Sequence, residues 1–224
     1  MSFFDKNLIL LEKHDPALAS RVKLHCFPDN IKVNLSRDGL PIPQVAGISL
    51  HSQYYPIKEA EQISRNFKVY DDSRTVVFGL GFGYHILPLL KLSEVTVIEP
   101  LMSVFRAFME NIDLAPFYPG IRFRIAEKPA TLLARLEPSK WNIFKHTPSI
   151  RIGEFYYQQL ETGISVRNFI SNKPLRILVV KPIYGGSLPT ANHCFDGLKN
   201  MGHEVESVDC DKFSEGFFSL KDAT

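Results

Sequence analysis

This chain of 224 residues has few cysteines, no long apolar run and no excess of one charge. Its three cysteines, Cys26, Cys194 and Cys210, are widely spaced, which argues against a disulfide framework and a structural zinc site and favours a reducing compartment. The 26 basic and 24 acidic residues are mixed along the chain, so nucleic acid is not expected as a partner. The apolar stretch 76–90 is too short to span a bilayer, and no secretory signal is recognisable at the amino terminus. These absences predict a cytoplasmic protein without a membrane span.

Several catalytic signatures are also missing. No lysine directly follows the glycines at 79–83 as it would in a P-loop, and the sequence contains no H-E-x-x-H motif and no Ser-His-Asp elbow. Asp209 and Asp211 form a D-x-D pair, but they follow the last predicted strand, where loop acids are common. We therefore predict no metal ligand, and the catalytic residues, if this chain is an enzyme, are not assigned.

From residue 75 onward, predicted strands and helices alternate, which is typical of a parallel sheet covered on both faces. We therefore predict an α/β fold with a Rossmann-like parallel sheet flanked by helices. The predicted strands are 75–79, 95–99, 121–125 and 141–145, and the predicted helices are 84–91, 101–113, 129–136 and 154–170.

The sequence before this region predicts an extension made of a β-hairpin and helices. Residues 31–45 alternate apolar and polar side chains around an Asp-Gly pair at 38–39, which indicates a hairpin. Pro41 and Pro43 have no amide hydrogen, so the second arm is expected at the edge of its sheet. A helix is predicted at 56–67, with a proline in its first turn.

Three segments are predicted along the chain. Residues 1–70 form the N-terminal extension, 71–172 the Rossmann-like nucleotide-binding domain, and 173–224 the first βαβ unit of another domain, with strands at 175–181 and 204–208. Two strands and one helix are too few to bury both faces of a sheet. The last segment therefore either belongs to a longer protein or extends the first sheet.

The most informative motif is TVVFGLGFGYH at 75–85, which indicates a buried strand, a glycine turn and the start of a helix. Gly79, Gly81 and Gly83 let the backbone approach a ligand closely, and amides at the start of a helix suit an anion. Glu99 follows Gly79 by 20 positions, where doubly wound sheets place an acid against a ribose hydroxyl. These four residues predict a nucleotide-like ligand; the alternative is a turn that needs glycine only for packing.

Two positions restrict the choice of that ligand. Tyr84 stands where a dinucleotide fingerprint has its third glycine, so NAD and FAD are disfavoured. Val77 stands where methyltransferases that use S-adenosylmethionine usually carry an acid, so S-adenosylmethionine is also disfavoured as the ligand.

Three more polar residues are predicted near the same ligand. His51 and Ser52 precede a helix start at Pro56, a position suited to phosphate. His146 directly follows the strand 141–145, so it would lie at the same sheet edge as the glycine turn. The alternatives are that Ser52 only organises the start of the helix and that His146 is an ordinary loop residue.

The motifs also carry a family resemblance. H-S-x-Y-x-P-x-x-E-A at 51–60, G-L-G-F-G-Y-H at 79–85 and V-I-E-P at 97–100 resemble, in this order, the Rossmann-like domain of motility-associated-factor (Maf) flagellin glycosyltransferases and the related 6-hydroxymethylpterin diphosphokinases. From residue 175 the chain is similar to the start of CgeB-like glycosyltransferases, through Gly-Gly-Ser at 185–187 and Gly-His-Glu-Val at 202–205. The resemblance implies a nucleotide or nucleotide-sugar ligand.

Carried over residue by residue, the resemblance implies that the predicted site residues line the ligand pocket. The resulting hypothesis is a nucleotide- or nucleotide-sugar-binding module of a bacterial glycosyltransferase, a transferase acting on surface or flagellar glycans, with a protein or glycan as acceptor. Two alternatives stay open: a methyltransferase-like domain that uses S-adenosylmethionine, and an accessory module without catalytic activity. The residues concerned are His51, Ser52, Gly79, Gly81, Gly83, Glu99 and His146.

Overall fold

The computed structural model describes residues 1–25, 31–69, 74–137, 140–172, 174–181, 188–200 and 202–210. The chain divides into two compact units, Met1–Asn168 and Phe169–Thr224. The predicted limits of the three segments, at 70 and at 172, stay a prediction. Cys26, the Gly-Gly-Ser sequence at 185–187 and Asp211 lie outside the described residues.

The first unit begins with two helices, a small antiparallel sheet and a third helix. These elements are α1 (Phe3–His14), α2 (Pro16–Leu24), β1 (Ile31–Leu35), β2 (Pro41–Val45), β3 (Ile48–Ser49) and α3 (Pro56–Arg65). β1 and β2 pair antiparallel on either side of the Asp-Gly turn. The predicted hairpin is therefore confirmed.

The expectation that the second arm of the hairpin is an edge strand is wrong, because the strand order is β1-β2-β3 and β2 lies in the middle. The Pro43 carbonyl accepts a hydrogen bond from the Leu50 amide on the β3 side, at 2.9 Å. In an extended strand the N–H and C=O of one residue point the same way. The hydrogen that Pro43 lacks would therefore face β3, which has only two residues and needs few donors.

The rest of the first unit is the predicted α/β layer structure. Its elements are β4 (Arg74–Phe78), α4 (Ile86–Leu89), β5 (Val95–Glu99), α5 (Met102–Asn111), a 3₁₀ turn (Ala115–Phe117), β6 (Ile121–Ile125), α6 (Pro129–Arg135), β7 (Trp141–Lys145), α7 (Thr147–Ile152) and most of α8 (Glu154–Asn172), whose last residues fall in the second unit. The four strands are parallel and ordered β6-β5-β4-β7. The Rossmann-like fold is confirmed.

The central strands β4 and β5 are buried on both faces. Val77 and Val97 belong to one hydrophobic cluster, whereas Val76 and Ile98 belong to another on the opposite face. Successive side chains of a strand point to opposite faces, so both faces need apolar residues. This double burial explains why the sequence shows continuous apolar runs here instead of alternation.

The second unit contains the predicted βαβ arrangement, with β8 (Arg176–Lys181), α9 (Leu188–Asn200) and β9 (Glu204–Asp209). β8 and β9 pair in parallel as a separate two-stranded sheet. Whether this segment belongs to a longer protein or extends the first sheet stays a prediction. Within the described ranges, no helix combines the length and the apolar character that crossing a bilayer requires.

Candidate functional site

The glycine turn follows β4 and leads into α4. Gly79, Gly81 and Gly83 have φ values of +97°, +50° and +74°, a backbone region that residues with a Cβ rarely adopt. The turn continues to His85, so the helix predicted at 84–91 is reduced to Ile86–Leu89. The sequence pattern therefore located the turn correctly and overestimated the helix.

The space beside each of these glycines is filled by the protein itself. A Cβ added to Gly81 would lie 2.5 Å from His51 Nε2, and one added to Gly83 would lie 2.8 Å from the Phe117 ring. A Cβ on Gly79 would collide with Ser149. Side chains of the same chain thus make the close approach that was predicted for a ligand. This arrangement agrees with the alternative that the turn needs glycine for packing.

Glu99 ends β5, the strand next to β4, and its carboxylate points at the glycine turn. Oε2 accepts a hydrogen bond from the Leu80 amide at 3.0 Å, and Oε1 accepts one from the Leu101 amide at 3.0 Å. The side chain is only 3% exposed. Burial raises the pKa of this carboxyl to about 7, although the two amide bonds act in the opposite direction. Its contact with a ribose stays a prediction.

His51 and Ser52 occupy different positions relative to the turn. His51 is buried, and its Nε2 accepts a hydrogen bond from the Phe82 amide at 2.8 Å. Ser52 is partly exposed, and its Oγ accepts hydrogen bonds from the amides of Tyr54 and Tyr55. The Ser52 amide donates to Glu59 Oε2 at 2.8 Å. Ser52 and Glu59 therefore organise the start of α3, as the simpler interpretation of Ser52 proposed.

His146 follows β7 and reaches the same edge of the sheet, as the sequence predicted. Its Nδ1 lies 2.8 Å from Ser149 Oγ, and its ring hydrogen-bonds to the backbone of Leu50. The ring stacks on His85, with 4.1 Å between ring centres and 3° between the planes. Sequence reasoning did not select His85, although its place at the end of the glycine motif was a usable signal.

The three imidazoles are neutral near pH 7. Burial lowers the pKa of His85 to about 4, against the opposing effect of its hydrogen bond to the Gly79 carbonyl. Burial also lowers the pKa of His51 and of His146 well below the usual value, and the neighbouring histidines add to the effect. These side chains can donate or accept hydrogen bonds, but they bring no positive charge to the site.

The structure thus brings most of the predicted residues together at the carboxyl ends of β4, β5 and β7. His51 and Glu99 hydrogen-bond to amides of the turn that contains Gly79 and Gly81, and His146 stacks on His85 at the end of that turn. Two predicted residues lie to the side of these residues. Gly83 packs against aromatic rings of the core, and Ser52 lies at the exposed start of α3.

Open space near these motifs lies beside the hairpin. A cavity of about 400 Å³ borders the turn between β1 and β2 and the segment that follows His51. Its polar lining includes Asn34, Arg37, Ser49, Gln53 and Tyr54. Leu35 and Ile42 add an apolar part to the lining. Gln53 and Tyr54 of the 51–60 motif therefore border a cavity of mixed polarity, whereas the glycine turn is covered.

Comparison with solved structures supports the fold. The Maf glycosyltransferase from Magnetospirillum magneticum AMB-1 superimposes with a TM-score of 0.54 and 13% sequence identity, over 93% of this chain and 46% of that one. MnmC2 from Aquifex aeolicus superimposes with a TM-score of 0.41 and 16% identity, over 70% of this chain and 63% of that one. The first likeness shows a shared Rossmann-like fold, and the second is too distant to carry an argument.

This chain spans less than half the length of that Maf glycosyltransferase. No protein-family model matches the sequence, and no curated protein matches it.

Proposed function

We propose that this chain is a nucleotide- or nucleotide-sugar-binding module of a bacterial glycosyltransferase that acts on surface or flagellar glycans. The hydrogen bond of 3.0 Å between the Glu99 carboxylate and the Leu80 amide carries the proposal. It puts an acid beside a glycine turn, at the carboxyl ends of adjacent parallel strands, where open α/β sheets bind nucleotides. The motif resemblance and the fold shared with a Maf glycosyltransferase support the same function.

In this proposal the ligand competes with bonds that the protein makes internally. Ribose hydroxyls would donate to Glu99 in place of the amides of Leu80 and Leu101. His51 and His146 would hydrogen-bond to phosphate or sugar oxygens as neutral imidazoles. Because these groups are buried, binding requires the segment around Ser52 to move, and the cavity bordered by Gln53 and Tyr54 is the open side from which a sugar would enter.

Calorimetry with CMP-, UDP- and GDP-linked sugars tests the proposal directly. We expect one of them to bind, and we expect Glu99→Gln to weaken that binding by at least about 10-fold, since hydrogen bonds to charged groups contribute about 1.5–3 kcal/mol. Glu61→Gln is the matched control, because Glu61 is an exposed acid on α3. The absence of heat from all three ligands, with the wild-type protein folded, would reject the proposal.

S-adenosylhomocysteine is a further ligand in the same experiment, since the glycine and Glu99 spacing also suits a methyltransferase-like domain. Because Val77 replaces the acid that such methyltransferases usually carry, we expect S-adenosylhomocysteine not to bind. Tight binding of this ligand alone would replace the first proposal.

The packing around the glycines favours a second candidate, an accessory module whose site binds no substrate. The deciding observation is that His51 and Ser149 occupy the space beside Gly81 and Gly79. If Gly81→Arg in the intact cellular protein leaves glycosylation unchanged while protein levels stay normal, the accessory role is supported over the first proposal.

A further inference from the structure

The histidines beside the glycine turn form a compact cluster of metal-binding side chains. One nitrogen from each of His51, His85 and His146 lies within 4.8 Å of the others, and all three residues are buried. We propose that this cluster binds Zn²⁺ or a similar first-row divalent metal ion. The inference does not rest on the proposed nucleotide binding, and it departs from the sequence-based expectation that no metal ligand is present.

His85 supplies the strongest argument. Its Nε2 lies 3.0 Å from the Gly79 carbonyl, and because a carbonyl only accepts hydrogen bonds, we assign the ring proton to Nε2. The lone pair of Nδ1 is then free. Among the described residues, Nδ1 is buried and has no hydrogen-bonding partner. A buried acceptor without a partner costs free energy, and a bound cation would satisfy it.

The second ligand, His146, also has a backbone partner for the ring nitrogen that would not bind the metal. Its ring hydrogen-bonds to the Leu50 backbone, and its Nδ1 lies 2.8 Å from Ser149 Oγ. We assign the ring proton to Nε2, donating to the Leu50 carbonyl, which leaves a lone pair on Nδ1. Histidines that bind metals usually donate their other N–H to a backbone carbonyl or a carboxylate, which fixes the ring orientation. His85 and His146 both have such a carbonyl partner, whereas a serine hydroxyl can rotate away from Nδ1 at little cost.

The third ligand requires an exchange of partners. His51 Nε2 accepts from the Phe82 amide, and an ion bound at this nitrogen would replace that bond. The ring centre of His51 lies 5.6 Å from that of His85 and 5.0 Å from that of His146. With Zn–N distances of about 2.0–2.1 Å, the ring centres of two ligands on a tetrahedral ion lie roughly 5 Å apart. The separations of the His51 ring from the His85 ring and from the His146 ring are therefore already close to those of a tetrahedral metal site.

The stacked pair must open for the ion to bind. The rings of His85 and His146 are nearly parallel, with centres 4.1 Å apart, and an ion that lies in the plane of both rings requires them to tilt and separate by about 1 Å. This movement predicts a change in the histidine environment that accompanies binding.

The ligand set also predicts which ions bind. Three neutral imidazoles without a thiolate suit Zn²⁺, Co²⁺, Ni²⁺ and Cu²⁺, whereas Mg²⁺ and Ca²⁺ prefer oxygen ligands. Three histidines leave a fourth position of a tetrahedral ion for water or a ligand atom.

The proposal is tested with the full chain after treatment with a chelator and removal of the chelator. We expect added Zn²⁺ to raise the unfolding temperature, Mg²⁺ to have no such effect, and Co²⁺ to produce the visible absorption of a tetrahedral site. His85→Phe keeps an aromatic ring in the stack and removes the free nitrogen. It should raise the dissociation constant for Zn²⁺ by at least about 100-fold. Loss of a residue that only hydrogen-bonds to a metal ligand commonly lowers metal affinity 10- to 100-fold, and loss of a ligand itself should cost more.

The matched control is His193→Ala, which removes an exposed histidine on α9 and should bind Zn²⁺ like the wild-type protein. His51→Gln is a second variant in case His85→Phe does not fold, since the Gln oxygen can still accept from the Phe82 amide. The proposal is overturned if the folded wild-type protein shows neither the Zn²⁺-dependent stabilisation nor the Co²⁺ absorption. It is equally overturned if the folded cluster variants bind Zn²⁺ as tightly as the control, because the ion then binds elsewhere.

Discussion

The buried carboxyl of Glu99 gives a quantitative prediction for the pH dependence of stability. Its pKa is about 7 in the folded protein, against an ordinary value of 4.5. The folded state therefore binds this proton more tightly than the unfolded state does. The resulting stabilisation is complete below pH 4.5 and is lost as the pH rises through about 7. Between pH 7.5 and pH 5 it amounts to a gain of about 2 kcal/mol.

The buried histidines change the pH dependence of stability in the direction opposite to Glu99. The pKa of His85 is about 4 in the folded protein, below its ordinary value of 6.5, so its contribution is complete above pH 6.5 and is lost as the pH falls toward 4. Between pH 7.5 and pH 5 this is a loss of about 2 kcal/mol, which nearly offsets the gain from Glu99. His51 and His146 have lowered pKa values too and add to the loss on acidification.

Glu99→Gln separates the two effects, because the variant keeps the shape of the side chain and removes its titration. The free energy of unfolding is measured for both proteins by urea denaturation followed by circular dichroism. The value for wild type minus that for the variant should be more positive at pH 5 than at pH 7.5, by about 2 kcal/mol. Glu61→Gln, at an exposed acid, should change stability by less than about 0.5 kcal/mol. An equal difference at both pH values would refute a raised pKa at Glu99.

Two further predictions concern close packing and buried hydrogen bonds, each with a matched control measured in the same denaturation experiment. Gly81→Ala should destabilise by more than about 3 kcal/mol, because it places a Cβ 2.5 Å from His51 at a positive φ, whereas Gly39→Ala, at a positive φ in open space, should cost only about 1–2 kcal/mol. Asn7→Ala should cost about 3 kcal/mol, since this buried side chain makes three hydrogen bonds to backbone groups in the last turn of α5 and just after it. Asn34→Ala, at an exposed residue with one long hydrogen bond, should be nearly neutral. A similar loss of stability for Gly81→Ala and Gly39→Ala would contradict the close contact of Gly81 with His51, and a similar loss for Asn7→Ala and Asn34→Ala would contradict the buried hydrogen bonds of Asn7.

Most of the secondary structure and the fold class follow from local sequence patterns. The predicted strands 95–99, 121–125 and 141–145 coincide with β5, β6 and β7. β5 is buried along its whole length and is mostly apolar, whereas the outer strand β6 alternates apolar and charged residues. The Asp-Gly turn placed the hairpin for a similarly local reason, the backbone conformation that Gly39 allows. The proximity of Glu99 to the glycine turn was also predictable, since consecutive strands of such a fold are usually neighbours.

The surroundings of the glycine turn depend on long-range packing. His51, Phe117 and Ser149 are far apart along the chain, and nothing in the local pattern indicates that they fill the space beside the glycines. The tertiary structure likewise made β2 the central strand despite Pro43, and it brought His85 into contact with His146. Periodicity and turn chemistry report on neighbours within a few residues. Long-range packing depends on how whole elements meet, and this packing buries the histidines and sets their protonation.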